Sequence, residues 1–147
     1  MDMSSLLTVS VIAILSVSVQ SGVVLTKARV ESLQPSSSQP RSQASIMDTG
    51  FWYDVVVTPD KPLIGVQTPA HLSVRLKMGA QPKPSYFREV YLVLQRLGNG
   101  ELRVVDWSFT TYGLCVSRSI ATTYQIRDRL SELRRRGIVR WNKDCDW

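Results

Sequence analysis

The residues that most often carry catalysis or metal binding are few and scattered in this sequence. The chain has a single histidine, His71, and two cysteines, Cys115 and Cys145. Together they offer at most three soft ligands, and the cysteines form no C-x-x-C pair, so the spacing does not indicate a structural zinc site. The sequence also lacks a G-x-S-x-G motif and a phosphate-binding glycine loop. We therefore predict that the protein is not an enzyme and that it uses no metal or other cofactor.

The two cysteines allow two interpretations that depend on the compartment. If the domain is exported, Cys115 and Cys145 could pair as a disulfide. If it stays in a reducing cytosol, both are small core or surface thiols. The number of cysteines does not decide between these interpretations.

The positive charge of the chain is concentrated in one window. Between Arg118 and Lys143 there are eight Lys and Arg residues against Asp128 and Glu132, so this window carries 8 − 2 = +6. The whole chain of 147 residues also has a formal net charge of +6, so the rest is balanced. Such a distribution is typical of a protein that meets an anionic partner, which could be nucleic acid, acidic lipid or an acidic protein.

The N-terminal part divides into an apolar stretch and a polar one. Residues 1–26 carry no charge beyond Asp2 and could be an export signal, a membrane anchor across residues 6–25, or a soluble strand with period-two alternation. Residues 27–46 include a Ser/Gln/Pro-rich run that cannot bury enough surface to fold alone, so we predict a linker there. The globular domain is then expected to span residues 47–147.

The first half of that domain shows strand patterns. Residues 51–58 are aromatic and β-branched and end at Pro59, and residues 71–78 alternate apolar with polar side chains. Residues 86–97 fit either a helix or a strand. The Gly98-Asn99-Gly100 turn that follows favours a hairpin into residues 101–109.

The second half is dominated by residues 122–141, in which local signals agree. Thr122 has the capping-box spacing to Gln125, and an apolar stripe at helical spacing follows, made by Ile126, Leu130 and Leu133. Gly137 predicts a left-handed helix stop. Residues 138–141 then indicate a short terminal strand. We thus predict an α+β fold, a small antiparallel sheet followed by a long basic C-terminal helix and a short terminal strand.

This helix and the residues after it resemble the recognition helix and first wing strand of winged helix-turn-helix DNA-binding domains. The resemblance covers about residues 118–141 and is carried by an Arg-Leu-x-x-Leu run followed by Gly-Ile-Val. It implies that the helix enters the major groove. By position, the residues expected to reach bases or adjoining phosphates are Thr123, Tyr124, Arg127 and Asp128, and those expected to hold the phosphate backbone are Arg135, Arg136 and Arg140.

Two functions therefore stand as expectations. The resemblance and the charge predict a nucleic-acid-binding protein, regulatory in role and tethered to a membrane if residues 6–25 are an anchor. The alternative is an exported or surface-anchored β-rich binding module whose basic helix contacts lipid or a protein partner. No small-molecule substrate is evident from the sequence.

Overall fold

The computed structural model describes residues 22–37, 50–79, 83 and 87–145. It contains five strands, β1 (Val23–Pro35), β2 (Phe51–Pro59), β3 (Leu72–Met78), β4 (Glu89–Arg96) and β5 (Leu102–Phe109). Two short helices follow, α1 (Arg118–Thr123) and α2 (Arg127–Arg135). The part of the chain described is therefore mostly β.

All five strands belong to one antiparallel sheet with the order β3-β2-β1-β4-β5. The first four give the spatial order 4-1-2-3 of a Greek key, and β5 is added to β4 by a hairpin. The sheet curls into a half-barrel. Register shifts near Glu31 in β1 and Val105 in β5 mark two bulges, which locally increase the twist of a sheet.

The two faces of the curled sheet are buried in different ways. Alternate side chains of all five strands fill the concave face, where Val24, Val55, Leu76 and Leu92 are almost fully buried. The convex face of β1 and β4 is covered by the 63–66 loop, the segment 114–116 and the two helices. Because β4 is covered on both sides, residues 90–94 are all buried, and this explains the continuous apolar run in its sequence.

The hairpin interpretation of residues 86–97 is confirmed in its strands. β4 and β5 pair antiparallel, and Gly100 takes a positive φ of 86° in the turn between them. Residues 51–58 and 71–78 also form the expected strands, β2 and β3.

The predicted α+β fold with a long basic C-terminal helix is wrong. Gln125 has a φ of +56°, which breaks the predicted helix into α1 and α2. The N-cap is Ser117, whose hydroxyl accepts from the Ile120 amide, so Thr122 lies inside α1 and caps nothing. The strand expected over 138–141 is reduced to one bridge between Leu114 and Trp141.

The boundaries expected for the N-terminal segments also differ from the structure. Residues 27–35, assigned to the linker, belong to β1, which begins at Val23 within the predicted leader and lies at the centre of the sheet. The folded part therefore begins well before residue 47. Polar residues are acceptable in the second half of β1 because it has exposed positions, among them Ser32, Gln34 and Pro35. The rest of the apolar stretch, residues 1–21, and residues 38–46 of the linker lie outside the described residues.

Candidate anion-binding surface

The two helices are held on the convex face of the sheet by their apolar side chains. Ile126, Leu130 and Leu133 are at most 7% exposed, so the predicted stripe is buried. It packs in one cluster with Tyr91 and Val93 of β4. The opposite side of α2 faces solvent, and that side carries the charged residues of the segment.

Both helices end in the same backbone arrangement. The amide of Gly137 donates to Arg134 O, and the amide of Ile138 donates to Leu133 O, which is a Schellman motif with glycine in the left-handed position. The end of α1 repeats the pattern: the amide of Ile126 donates to Ala121 O while Gln125 takes the left-handed φ. A residue with a Cβ at this position is strained, because only glycine adopts the left-handed region freely.

The segment after α2 is bound at its far end to the residues that follow β5. Leu114 and Trp141 form a parallel bridge, with Leu114 N donating to Arg140 O and Asn142 N donating to Leu114 O. Cys115 and Cys145 form a disulfide. This close approach needs Gly113, since a Cβ there would lie 2.7 Å from the backbone of Asn142.

Residues 134–143 lie between these two anchors, and we call them the basic segment. The segment contains no acidic residue. It has five cationic side chains, all of them exposed: Arg134, Arg135, Arg136, Arg140 and Lys143. The segment is fixed by buried α2 residues on one side and by the disulfide on the other. A concentration of positive charge is therefore presented on a backbone that is already ordered.

Two of the five cations contact a side chain that interacts favourably with their positive charge. Arg135 donates two hydrogen bonds to the carboxylate of Glu132, at 2.6 and 3.0 Å, and these bonds raise the pKa of Arg135. Arg134 lies 6.0 Å from the ring centroid of Trp141, within the range of a cation–π contact. By contrast, Arg136 and Arg140 make no ion pair within the part of the chain that the structure describes.

The structure divides the predicted nucleic-acid-binding residues between two places. Arg135, Arg136 and Arg140 lie in the basic segment. Thr123 and Tyr124 lie beside the turn between α1 and α2, at the other end of α2, which spans about 13 Å for nine residues. Tyr124 is half-buried, and its hydroxyl donates to Gln95 Oε1 at 3.2 Å.

The outermost ridge of α2 carries mixed charge. At 3.6 residues per turn, Asp128, Glu132 and Arg135 lie opposite the buried Leu130. Arg127 and Arg134 flank this ridge on one side, in positions seven residues apart. A helix that entered a DNA groove with this ridge first would bring two carboxylates toward phosphates, which costs electrostatic energy.

The sequence patterns did not predict a second group of cations. Arg96, at the end of β4, and Arg129 of α2 line one cleft beside the turn between α1 and α2. They are 33 positions apart in the chain, and no local pattern joins them. Asp106 was unremarkable in the sequence, yet it accepts from the backbone amide of Ser117 at 2.9 Å and so helps to fix the start of α1.

The metal-ligating side chains of the described residues are scattered. Within them no group of three or more His, Cys, Asp or Glu side chains is arranged to hold a metal ion. His71 is exposed at the start of β3. No helix in the described ranges is both long and apolar enough to span a bilayer.

Comparison with known proteins identified no relative. No protein-family model, curated protein or solved structure matched the chain.

Proposed function

We propose that this protein is an exported binding module that presents the basic segment to an anionic partner, either an acidic protein surface or anionic lipid headgroups. The proposal for export is supported by the disulfide between Cys115 and Cys145. Disulfides persist in oxidising compartments and are rare in the cytosol. A β-rich domain stapled by a disulfide is also a common form of small secreted protein.

The observation that carries the proposal is the double anchoring of the basic segment. Its cations are exposed and the segment itself contains no Asp or Glu, while α2 and the disulfide hold its two ends. A surface that is ordered before binding loses less conformational entropy when the partner arrives. Ile138 adds an apolar side chain, 46% exposed, at the turn between the arginines.

Export is tested by expressing the full-length gene and measuring the intact mass of the mature protein, with and without reductant. The proposal expects both thiols to be oxidised and the residues up to about Ser21 to be absent. Retention of the complete N-terminus together with two alkylatable thiols would contradict it.

Partner binding is tested with vesicles containing phosphatidylserine and, separately, with polyglutamate. A cationic side chain near an anionic lipid surface contributes about 1 kcal/mol, so the double variant Arg136→Gln/Arg140→Gln should bind vesicles about 30-fold more weakly. The matched control is Lys61→Gln/Arg88→Gln, which removes the same amount of charge from exposed positions on other elements. Equal losses in both double variants would show a nonspecific charge effect and overturn the role of the basic segment.

Nucleic-acid binding is a second candidate, favoured by the arrangement of α1 and α2. The helices are joined by three residues, the length of turn found in helix-turn-helix motifs. If α2 reads DNA, Arg127→Ala should lose about 1–3 kcal/mol in a sequence-dependent manner. Arg136→Ala should weaken binding to all duplexes alike and reduce the salt slope by about one. Absence of duplex binding by the full chain at low salt, on the order of 50 mM, would remove this candidate.

A further inference from the structure

A cleft with a volume of about 470 Å³ opens beside the turn between α1 and α2, away from the basic segment. Its walls come from four parts of the chain: the start of β1, the 65–66 loop, the end of β4, and residues 123–129. The residues that line it include Val23, Val66, Arg96, Tyr124 and Arg129. Its volume is within the usual range for small-molecule sites.

The charge of this cleft has one sign. Arg96 and Arg129 both line it, and among its described lining residues there is no Asp or Glu. Neither arginine makes an ion pair within the described ranges. Two guanidinium groups that share one cleft repel each other, and an anion between them relieves that repulsion. A guanidinium group also offers paired donors in a plane, which suits carboxylate and phosphate oxygens.

One part of the remaining wall is apolar and aromatic, and it lies beside polar residues of the turn. Val66 is 62% exposed at its rim, while Val23 and Ile126 are buried beneath it. The ring of Tyr124 is held in place by the hydrogen bond from its hydroxyl to Gln95. A ligand that fits this wall therefore needs an apolar or aromatic body as well as a charged group.

Both walls depend on uncommon backbone conformations. Gly65 has a φ of +92°, and a Cβ there would lie 2.6 Å from Val23 O, so only glycine lets this loop approach β1. On the other wall, Gln125 takes the left-handed conformation without being glycine. Gln125 is therefore strained, and strained non-glycine residues cluster at ligand sites, where the surrounding structure holds them.

We propose that the cleft binds a small organic anion, in which one carboxylate or phosphate group pairs with Arg96 and Arg129 and an aromatic or apolar body packs on Val66 and Tyr124. A bare inorganic ion would leave most of the volume unfilled. This binding site is separate from the basic segment, so it goes beyond the proposed function and does not depend on it.

The test is titration calorimetry of the oxidised full chain with benzoate, phenyl phosphate and inorganic phosphate, and with benzyl alcohol as the neutral analogue. At least one of the two aromatic anions should bind, and at least tenfold more tightly than both inorganic phosphate and benzyl alcohol. The preferred anion distinguishes a carboxylate site from a phosphate site. Arg96→Gln and Arg129→Gln should each weaken its binding at least tenfold, whereas Arg136→Gln, in the basic segment, should change it less than twofold.

A second variant protects the test against loss of folding. Val66→Glu places a carboxylate at an exposed rim position and should abolish anion binding while the melting temperature stays close to that of the wild type. The proposal is overturned if neither aromatic anion binds at 5 mM, or if benzyl alcohol binds as well as the anions. It is also overturned if folded Arg96, Arg129 and Val66 variants bind like the wild type. If the wild-type chain binds an aromatic anion in the cleft but does not bind anionic vesicles, that result contradicts the proposed function alone.

Discussion

Removing the disulfide should release the basic segment while leaving the sheet folded. The bond joins residues with a sequence separation of 30, and the loop that it closes contains α1, α2 and the basic segment. None of the five strands lies inside this loop. The double variant Cys115→Ser/Cys145→Ser therefore changes the constraint on the C-terminal layer without touching the pairing of β1 to β5.

The magnitude follows from the length of the loop. For about 30 residues, chain entropy gives a stabilisation of about 3.6 kcal/mol at 25 °C. Domains of this size have total stabilities of about 5–15 kcal/mol, so the loss is large but need not unfold the protein. The buried stripe of α2 continues to hold the first half of the loop, whereas the segment after Gly137 keeps the bridge between Leu114 and Trp141 and the packing of the partly buried Val139 and Trp141.

The assay combines chemical unfolding with hydrogen exchange. The free energy of unfolding should fall by roughly 3–4 kcal/mol, and exchange should accelerate first at the amides of Leu114 and Asn142, which form the bridge. The amides of β1 and β4 should keep their protection at low denaturant. An unchanged free energy of unfolding, or equal loss of protection in the sheet and the C-terminal layer, would refute the reasoning.

Three further variants test the packing and the backbone. Leu130→Ala removes a fully buried side chain and should lower the free energy of unfolding in urea by about 2–5 kcal/mol. Ser131→Ala, on the exposed side, should lower it by less than about 0.5 kcal/mol. Equal small losses in both variants would mean that α2 is not docked. Gln125→Gly relieves the left-handed conformation and should raise the stability by about 0.5–1 kcal/mol, and a decrease in the melting temperature would contradict the assigned strain. Gly65→Ala brings a Cβ against the carbonyl of Val23 and should lower the stability by more than about 1 kcal/mol, so a neutral result in the same assay would place the loop elsewhere.

The sequence predicted those elements whose signals are local. The Gly98-Asn99-Gly100 turn and the β-branched residues around it indicated the hairpin of β4 and β5, which the structure contains. The spacing of Ile126, Leu130 and Leu133 identified the buried face of the last helix. In each case the residues that decide the structure lie within about ten positions of one another.

The errors arose where tertiary contacts decide the backbone. Gln125 is a good helix former by propensity, yet packing of both helices on β4 places it in the left-handed region and ends α1. Residues 27–35 are polar at several positions, so the sequence pattern predicted a linker there. They form a strand because β2 and β4 pair with β1 on its two sides.

The candidate surfaces could be predicted only in part. The concentration of cations between Arg118 and Lys143 was visible from counting charge, but the anchoring that orders residues 134–143 depends on Gly113 and on the disulfide. The cleft lined by Arg96 and Arg129 needs the strand and the helix to meet in space, and single-sequence patterns carry no information about that contact.

The most direct test of the central claim compares the affinity of the full chain for anionic vesicles with its disulfide intact and after mild reduction and alkylation. The basic segment is proposed to bind because the disulfide holds it in place. The oxidised protein should therefore bind at least tenfold more tightly, and the difference should disappear in the Arg136→Gln/Arg140→Gln variant. Equal binding by the oxidised and reduced proteins, with the sheet intact in both, would contradict the claim.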